Sequence, residues 1–204
     1  MSILDKIGRI VPVVALQRAE DGPPLARALA AGGITCAEIT LRTAAGEEAI
    51  RLIAKESPEM FVGAGTVLNV DQVERAKQAG AKFVVSPGLD REVVRKCEFL
   101  RLPVFPGCAT PTEMQAALKL GLTYIKFFPA EQAGGLDFLK AVSAAYPMLR
   151  FMPTGGISVE NVRKYLEFDK IFACGGSWMC PKALIDAGEW GEITQLCKEA
   201  REAI

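Results

Sequence analysis

One lysine in this sequence stands where a charged side chain is costly. Lys126 lies in the run Tyr124–Phe128, which is rich in aromatic and β-branched residues and is followed by Pro129, so the run predicts a strand. Burial in a strand disfavours the ammonium ion, and a neutral amine is a nucleophile toward carbonyl groups. A lysine at a strand end can instead extend its ammonium group to water. Lys126 alone therefore leaves a covalent catalyst and a solvated cation both open.

A second strand-like segment carries polar residues at every other position. Glu38, Thr40 and Arg42 alternate there with aliphatic residues, so the period of two places them on one face of the strand. If helices cover the opposite face, this polar face points inward, and Glu38 can meet Lys126. We expect Glu38 to act as a proton shuttle near Lys126 rather than as a tight ion-pair partner. A buried Glu38–Arg42 pair that serves structure only is the alternative.

The elements that position these residues alternate along the chain. Eight short apolar runs are separated by amphipathic segments, which predicts a single (β/α)8 TIM barrel over residues 1–204, with a short N-terminal helix over about 2–8. A doubly wound open sheet gives the same alternation and is the structural alternative. The predicted strands are Ile10–Leu16, Ala37–Leu41, Met60–Gly65, Phe83–Ser86, Val104–Cys108, Tyr124–Phe128, Phe151–Pro153 and Ile171–Cys174. The last predicted helix runs over Ile185–Ala203.

Two glycine pairs follow the last two predicted strands. They are Gly155-Gly156, preceded by Thr154, and Gly175-Gly176, followed by Ser177. Loops at these positions of a barrel often bind phosphate through backbone N–H groups. Neither loop contains a lysine or arginine, and tight turns without a ligand are the alternative. The carboxyl ends of the strands, where barrel active sites lie, therefore favour a ligand-binding rim.

The segment after the third predicted strand offers a hydrogen-bond donor. Gly63 and Gly65 begin a G-x-G-x-x-G pattern, but Leu68 stands in place of its third glycine, so the dinucleotide signal is weak. Thr66 can donate to a substrate carboxylate, and Arg42 can bind the same group through two N–H donors. The sequence thus offers a carboxylate site near the rim.

Composition excludes several classes of function. The 204 residues contain 24 basic and 24 acidic side chains and no histidine, which excludes histidine-based triads and histidine zinc sites. No basic tract, membrane span or signal peptide is evident, so we expect a cytoplasmic protein without nucleic-acid or membrane partners. The six cysteines lack a C-x-x-C pair and are expected to be reduced, although Cys108 and Cys174 lie near strand ends where a reactive thiol is conceivable.

Seven motifs follow one another along the chain: Glu38-Ile39-Thr40-Leu41-Arg42-Thr43, Gly63-Ala64-Gly65-Thr66-Val67, Ser86-Pro87-Gly88, Pro106-Gly107, Lys126-Phe127-Phe128-Pro129-Ala130-Glu131, Pro153-Thr154-Gly155-Gly156-Ile157 and Gly175-Gly176-Ser177-Trp178. In this order they resemble the class I aldolases that cleave 2-keto-3-deoxy-6-phosphogluconate (KDPG) and 4-hydroxy-2-oxoglutarate (KHG). The resemblance covers essentially the whole chain.

The resemblance implies a reaction and a role for each site residue. Lys126 would form a Schiff base with pyruvate, and Glu38 would shuttle protons. KDPG would yield pyruvate and glyceraldehyde 3-phosphate, as in the Entner–Doudoroff pathway of carbohydrate metabolism, and KHG would yield pyruvate and glyoxylate. The implied substrate contacts are Arg42 and Thr66 to the pyruvate carboxylate, Phe128 along the site, Thr154 to substrate hydroxyls, and Gly155, Gly156, Gly176 and Ser177 to the distal phosphate.

The resemblance also implies a homotrimer that needs no metal or other cofactor. One departure concerns the end of the first strand, where some relatives carry a basic residue that helps to bind phosphate and this chain has Gln17-Arg18. Relatives that act on the galactonate epimer tend to have an apolar residue before the glycine pair, so Thr154 favours the gluconate configuration. A phosphate-binding barrel synthase or isomerase without a lysine imine, and a non-catalytic sugar-acid-binding barrel, are the alternative functions.

Overall fold

Strands and helices alternate along the chain. The computed structural model describes residues 3–204, and Met1 and Ser2 lie outside it. The strands are β1 Ile10–Val14, β2 Cys36–Thr40, β3 Phe61–Gly65, β4 Val84–Ser86, β5 Val104–Pro106, β6 Tyr124–Phe127, β7 Arg150–Pro153 and β8 Cys174–Gly176. The helices are α1 Ile3–Ile7, α2 Gly22–Ala31, α3 Gly46–Glu56, α4 Val70–Gln78, α5 Arg91–Phe99, α6 Pro111–Lys119, α7 Gly135–Ser143, α8 Val162–Leu166, α9 Lys182–Ala187 and α10 Trp190–Glu202.

Side-chain caps fix where several of the helices begin. The Asn69 side chain accepts a hydrogen bond from Gln72 N at the start of α4, at 2.9 Å. Asp90 does the same for α5, accepting from Val93 N at 2.8 Å. A capping box of Thr110 and Glu113 begins α6. Each cap satisfies backbone donors that have no partner within the helix, so each helix starts at a defined distance from the preceding strand.

Hydrogen bonding arranges the strands in two parallel sheets. Six strands follow the order β5-β4-β3-β2-β1-β8, and β6 pairs with β7. This curled six-stranded sheet lacks the central reversal of strand order that defines a doubly wound sheet. Isolated bridges Gly107–Lys126 and Thr154–Gly175 join residues that follow β5 and β7 to β6 and β8. The architecture is an α/β fold built on parallel strands.

The two faces of the six-stranded sheet pack into different parts of the core. Ile39 of β2 belongs to the cluster that the helices cover. Cys36, of opposite parity, packs with Phe83 and Phe105 in a central cluster that also contains Ile7 of α1. The predicted N-terminal helix is thus confirmed for the described residues, and its Ile7 buries against the central cluster. Glu38 has the parity of Cys36, which turns its side chain away from the helices.

Two predicted elements near the C-terminus were wrong. The helix predicted over Ile185–Ala203 is two helices, because Gly188 adopts a left-handed conformation with φ of 73° between α9 and α10. The last strand begins at Cys174 rather than Ile171, and it pairs Cys174 with Ile10. Ile171 forms only a single bridge, to Phe151. Across residues 3–204, no helix is both long and apolar enough to cross a bilayer.

Candidate active site

Lys126 and Glu38 form a buried ion pair. Their residues are 5% and 0% exposed, and Lys126 Nζ lies 3.7 Å from Glu38 Oε1. This separation exceeds the roughly 2.7–3.2 Å of an N–H···O hydrogen bond. Within residues 3–204, neither carboxylate oxygen of Glu38 has a hydrogen-bond partner. The expected inward orientation of both side chains is therefore confirmed, and the carboxylate lies near the amine without a direct hydrogen bond to it.

A glycine on the neighbouring strand makes room for Glu38. Thr40 of β2 pairs in register with Gly65 of β3. A β-carbon on Gly65 would lie 2.1 Å from Glu38 Oε1 and 2.4 Å from its Cγ, which is inside van der Waals contact. The Glu38 side chain thus occupies space that any other residue at position 65 would fill. Gly65 of the Gly63-Ala64-Gly65 motif is therefore required for the packing of Glu38 and is not part of a dinucleotide site.

Arg42 is held by threonine, not by Glu38. Its Nε donates to Thr40 Oγ1 at 3.2 Å, and that hydroxyl donates to the Val14 carbonyl at 3.0 Å. This chain of hydrogen bonds fixes the guanidinium at the ends of β1 and β2. In the described part of the chain, the cation paired with Glu38 is Lys126. The alternative of a structural Glu38–Arg42 pair is therefore wrong.

All of the predicted phosphate and hydroxyl contacts line one cleft. The cleft has a volume of about 280 Å³ and lies at the carboxyl ends of β1, β2, β7 and β8. The predicted residues among its walls are Arg42, Thr154, Gly155, Gly156, Gly176 and Ser177. Thr66 and Phe128 are not among those walls. Thr66 follows β3 with a left-handed φ of 55°, and Phe128 is 37% exposed with its ring centroid 5.0 Å from Lys126 Nζ.

The loop after β6 is anchored on the loop after β7. Ala130 N donates to Thr154 O at 2.8 Å, and Glu131 N donates to Gly155 O at 3.1 Å. The left-handed Gly156 leaves room for the Glu131 side chain, because a β-carbon there would lie 2.5 Å from Glu131 Cγ. This contact ties the segment that follows Lys126 to the cleft wall.

A buried tyrosine completes this anchor. Tyr165 lies on α8, and its hydroxyl donates a hydrogen bond to Glu131 Oε1. Burial, followed by the hydrogen bond to Glu131, raises the pKa of Tyr165, so the phenol keeps its proton. Sequence reasoning missed this pair. Glu131 belongs to a quoted motif, but nothing in the spacing of the two residues indicates that they meet.

Neither Gln17 nor Arg18, which stand where some relatives carry a phosphate-binding basic residue, lies at the glycine loops. Arg18 donates a hydrogen bond to each oxygen of the Asp21 carboxylate, from Nε to Oδ2 at 3.0 Å and from Nη2 to Oδ1 at 2.7 Å. Gln17 is exposed. Neither residue lines the cleft. Lys182, the first residue of α9, does line it, together with Ser177. Sequence reasoning missed Lys182 because it considered only residues within the loops themselves.

The cysteines do not offer a nucleophile. All six are free and buried. Burial raises the pKa of Cys108 and that of Cys174 to about 12, so both thiols are protonated near neutral pH. The suggestion of a reactive thiol at either position is therefore wrong. Within residues 3–204, no group of three or more acidic or cysteine side chains is placed to hold a metal ion.

Comparison with known families agrees with the geometry. Residues 2–196 match the family described as KDPG and KHG aldolase. The chain belongs to this family. Membership makes the protein an aldolase, an enzyme that breaks carbon–carbon bonds.

Named relatives of this KDPG and KHG aldolase family member span nearly its whole length. The 2-dehydro-3-deoxy-phosphogluconate aldolase of Treponema pallidum (strain Nichols) is 45% identical over 196 residues, covering 96% of this chain and 93% of that protein. The KHG/KDPG aldolase of Escherichia coli (strain K12) is 44% identical over 195 residues, covering 96% and 92%. The first relative is named for KDPG alone, and the second is named for both KHG and KDPG, the two substrates that the sequence motifs suggested.

A solved structure of the aldolase family supports the same fold. The KDPG aldolase from Legionella pneumophila, with pyruvate captured at low pH as a covalent carbinolamine intermediate, superposes with a TM-score of 0.92. It is 39% identical to this chain, and the match covers 96% of this chain and 95% of that one. A carbinolamine forms when an amine adds to a carbonyl group, which is the chemistry of a lysine nucleophile.

Proposed function

We propose that this protein is a class I aldolase that cleaves KDPG to pyruvate and glyceraldehyde 3-phosphate, and also KHG to pyruvate and glyoxylate. The observation that carries the proposal is the buried amine of Lys126 beside the buried, unbonded carboxylate of Glu38. Family membership supplies the reaction class, and the names of the relatives supply the two substrates.

Lys126 is the nucleophile in this proposal. Glu38 takes a proton from the Lys126 ammonium group, and the neutral Nζ adds to the C2 ketone of the substrate. Glu38 then returns that proton to the hydroxyl of the carbinolamine, which leaves as water and forms a protonated imine. The imine nitrogen accepts the electron pair of the C3–C4 bond as that bond breaks. The enamine that remains takes a proton at C3, and hydrolysis of the imine returns the lysine and releases pyruvate.

Glu38 moves the protons in each of these steps. Through a water molecule, it removes the proton of the C4 hydroxyl as glyceraldehyde 3-phosphate leaves, and it later supplies a proton for the enamine. Two features support this role. Both oxygens of Glu38 lack a protein donor among residues 3–204, and Oε1 stands 3.7 Å from Lys126 Nζ rather than in hydrogen-bond contact.

The remaining residues bind the two ends of the substrate. Arg42 and Thr66 hold the pyruvate carboxylate, and Phe128 lines the site beside Lys126. Thr154 contacts substrate hydroxyls. The distal phosphate lies against the loop after β7, at Gly155 and Gly156, and against the end of β8, at Gly176 and Ser177; these four residues line the cleft together with Arg42.

The proposed site requires the strands to surround it. We propose that the two sheets close into one (β/α)8 barrel, that residues 1–204 form a single domain, and that the enzyme is a cytoplasmic homotrimer without a cofactor. The bridges Gly107–Lys126 and Thr154–Gly175 support closure, because they connect β6 and β7 to the ends of the six-stranded sheet. The trimer rests on the family resemblance, and the cytoplasmic location rests on the charge and apolar pattern of the sequence.

Borohydride trapping tests the nucleophile directly. Incubation with pyruvate and borohydride should leave a stable adduct, which peptide mass spectrometry should locate on Lys126. Lys82→Ala is a matched control because Lys82 is an exposed lysine that also adjoins a strand, at the opposite end of the sheet. The adduct should persist in Lys82→Ala and disappear in Lys126→Ala.

Other outcomes would identify a different function. An adduct on another residue, or none, would contradict the imine mechanism. Undiminished turnover in Lys126→Ala would indicate a phosphate-binding synthase or isomerase. Saturable binding of KDPG without release of pyruvate in a coupled assay would indicate a non-catalytic sugar-acid-binding protein.

A further inference from the structure

We infer that Lys182 is a further substrate-binding residue, which neutralises the distal phosphate and sets the preference for phosphorylated substrates. This inference rests on the proposed function and adds to it a residue that the family motifs do not contain. It starts from a deficit of charge. The Gly155-Gly156 loop and the end of β8 at Gly176 and Ser177 carry no cationic side chain for a phosphate dianion.

Arg18, at the end of the first strand, does not supply the missing positive charge. Arg18 is committed to Asp21 by two hydrogen bonds, of 3.0 and 2.7 Å, and it does not line the cleft. Among the residues that line the cleft, Arg42 and Lys182 are the cations. Arg42 is tied to Thr40 at the ends of β1 and β2, and in the proposed function it holds the carboxylate of the substrate. Lys182 is then the cation for the phosphate.

A turn brings Lys182 back toward the phosphate loop. Cys180 N donates to Ser177 O at 3.1 Å, which closes a turn directly after β8. Pro181 is the N-cap of α9, and Lys182 is the first residue of that helix. The turn places Lys182 on the wall of the cleft that also contains Gly176 and Ser177, which lie six and five residues before it in the chain.

The present partner of Lys182 holds it only loosely. Its ammonium group pairs with Asp186 one turn along α9, where the two side chains are 60% and 42% exposed. Exposed pairs of this kind are weak because water and salt screen them. A phosphate dianion carries about twice the charge of a carboxylate and has three acceptor oxygens. Lys182 can therefore leave Asp186 for the phosphate at little cost, and Asp186 keeps the ammonium near the cleft when no substrate is bound.

The test compares two substrates that differ in the phosphate. In Lys182→Ala, we expect KM for KDPG to rise about tenfold with kcat unchanged, while both constants for KHG stay the same, because KHG carries no phosphate. Lys182→Arg should restore most of the lost affinity. Lys77→Ala is the charge-matched control because Lys77 lies on α4 and lines a separate cleft near Phe61, so KM for KDPG should not change.

A binding measurement separates this inference from the proposed function. Calorimetric titration with glycerol 3-phosphate needs no turnover, and we expect about tenfold weaker binding in Lys182→Ala, with a smaller dependence on salt. Equal binding in the two proteins, or equal changes for KDPG and KHG, would overturn the role of Lys182. A wild-type protein that binds glycerol 3-phosphate through Lys182 but cleaves neither substrate would instead overturn the proposed function and leave the phosphate contact in place.

Discussion

Lys126 Nζ and Glu38 Oε1 lie 3.7 Å apart although their strands belong to different sheets. β6 supplies the lysine and β2 supplies the carboxylate, so the pair exists only because the two sheets face each other. Burial of both ions is costly, and each reduces that cost for the other. The absence of protein donors to Glu38 among residues 3–204 leaves its oxygens available to water or substrate. A purely structural ion pair would be expected to have those oxygens satisfied.

Replacement of Glu38 by glutamine should separate imine formation from proton transfer. Glu38→Gln keeps the size of the side chain but cannot accept a proton, so kcat for KDPG should fall about 10²- to 10⁴-fold. Lys126 should still be trapped by pyruvate and borohydride, but more slowly. Single-turnover trapping measured beside steady-state kcat checks this. Activity within a factor of two of the wild type would contradict the assignment of Glu38, provided circular dichroism shows a folded variant.

Gly65→Ala should remove activity through sterics alone. The new β-carbon would lie 2.1 Å from Glu38 Oε1, so the carboxylate must move away from Lys126. We expect at least a hundredfold loss of kcat/KM for both KDPG and KHG, because both reactions use Glu38. Gly88→Ala is the matched control because a β-carbon at that position meets nothing within 4 Å. Normal activity in Gly65→Ala would show that the position of Glu38 does not matter.

The inward orientation of Glu38 and Lys126 could be predicted because strand parity is a local property. Alternation along β2 predicted that Glu38 faces away from the helices, and the same rule applied to β6 for Lys126. The distance between them could not be predicted, since it depends on the curl of the sheets and on the missing side chain at Gly65. Thr154 and the glycines of both loops were predicted because their motifs follow strand ends, where barrel sites lie.

The misses have a common physical origin. Lys182 was missed because its position depends on the turn from Ser177 to Cys180 rather than on a motif. The break between α9 and α10 was missed because Gly188 lies within an otherwise helical pattern, and only its positive φ of 73° reveals the end of α9. Contacts made by tertiary packing are not encoded in spacing along the chain.

Thr154→Val should weaken the preference for the gluconate configuration. Valine has nearly the shape of threonine but cannot hydrogen-bond a substrate hydroxyl, so kcat/KM for KDPG should fall about tenfold, equivalent to one hydrogen bond. For the galactonate epimer, kcat/KM should fall less, so the ratio of kcat/KM for KDPG to kcat/KM for the epimer should decrease. Thr194→Val is the control because the Thr194 hydroxyl donates to the Ala28 and Trp190 carbonyls, away from the cleft. Equal losses for both epimers would contradict a role for Thr154 in stereochemical preference.

Tyr165→Phe should test whether the anchor between the loops positions Lys126. Removal of the hydroxyl leaves Glu131 without this donor, so the segment that follows Lys126 should move more freely against the loop at Thr154. We expect kcat to fall about three- to tenfold with KM nearly unchanged, together with a loss of about 1 kcal/mol in the free energy of unfolding. Urea denaturation and steady-state kinetics measure the two effects. Lost stability with unchanged kcat would show that the hydroxyl serves packing only.

The effect of Tyr165→Phe on the free energy of unfolding should also depend on pH. The folded protein raises the pKa of Tyr165 above the value of about 10 for an unfolded chain, chiefly through burial. The contribution of the protonated Tyr165 hydroxyl to the free energy of unfolding is therefore complete below pH 10. It is lost as the pH rises toward the pKa of Tyr165 in the folded protein, because the unfolded chain releases the proton first. The difference in unfolding free energy between wild type and Tyr165→Phe should be constant from pH 6 to pH 9 and should shrink above about pH 10. A difference that shrinks between pH 6 and pH 9 would mean that another group controls the contact.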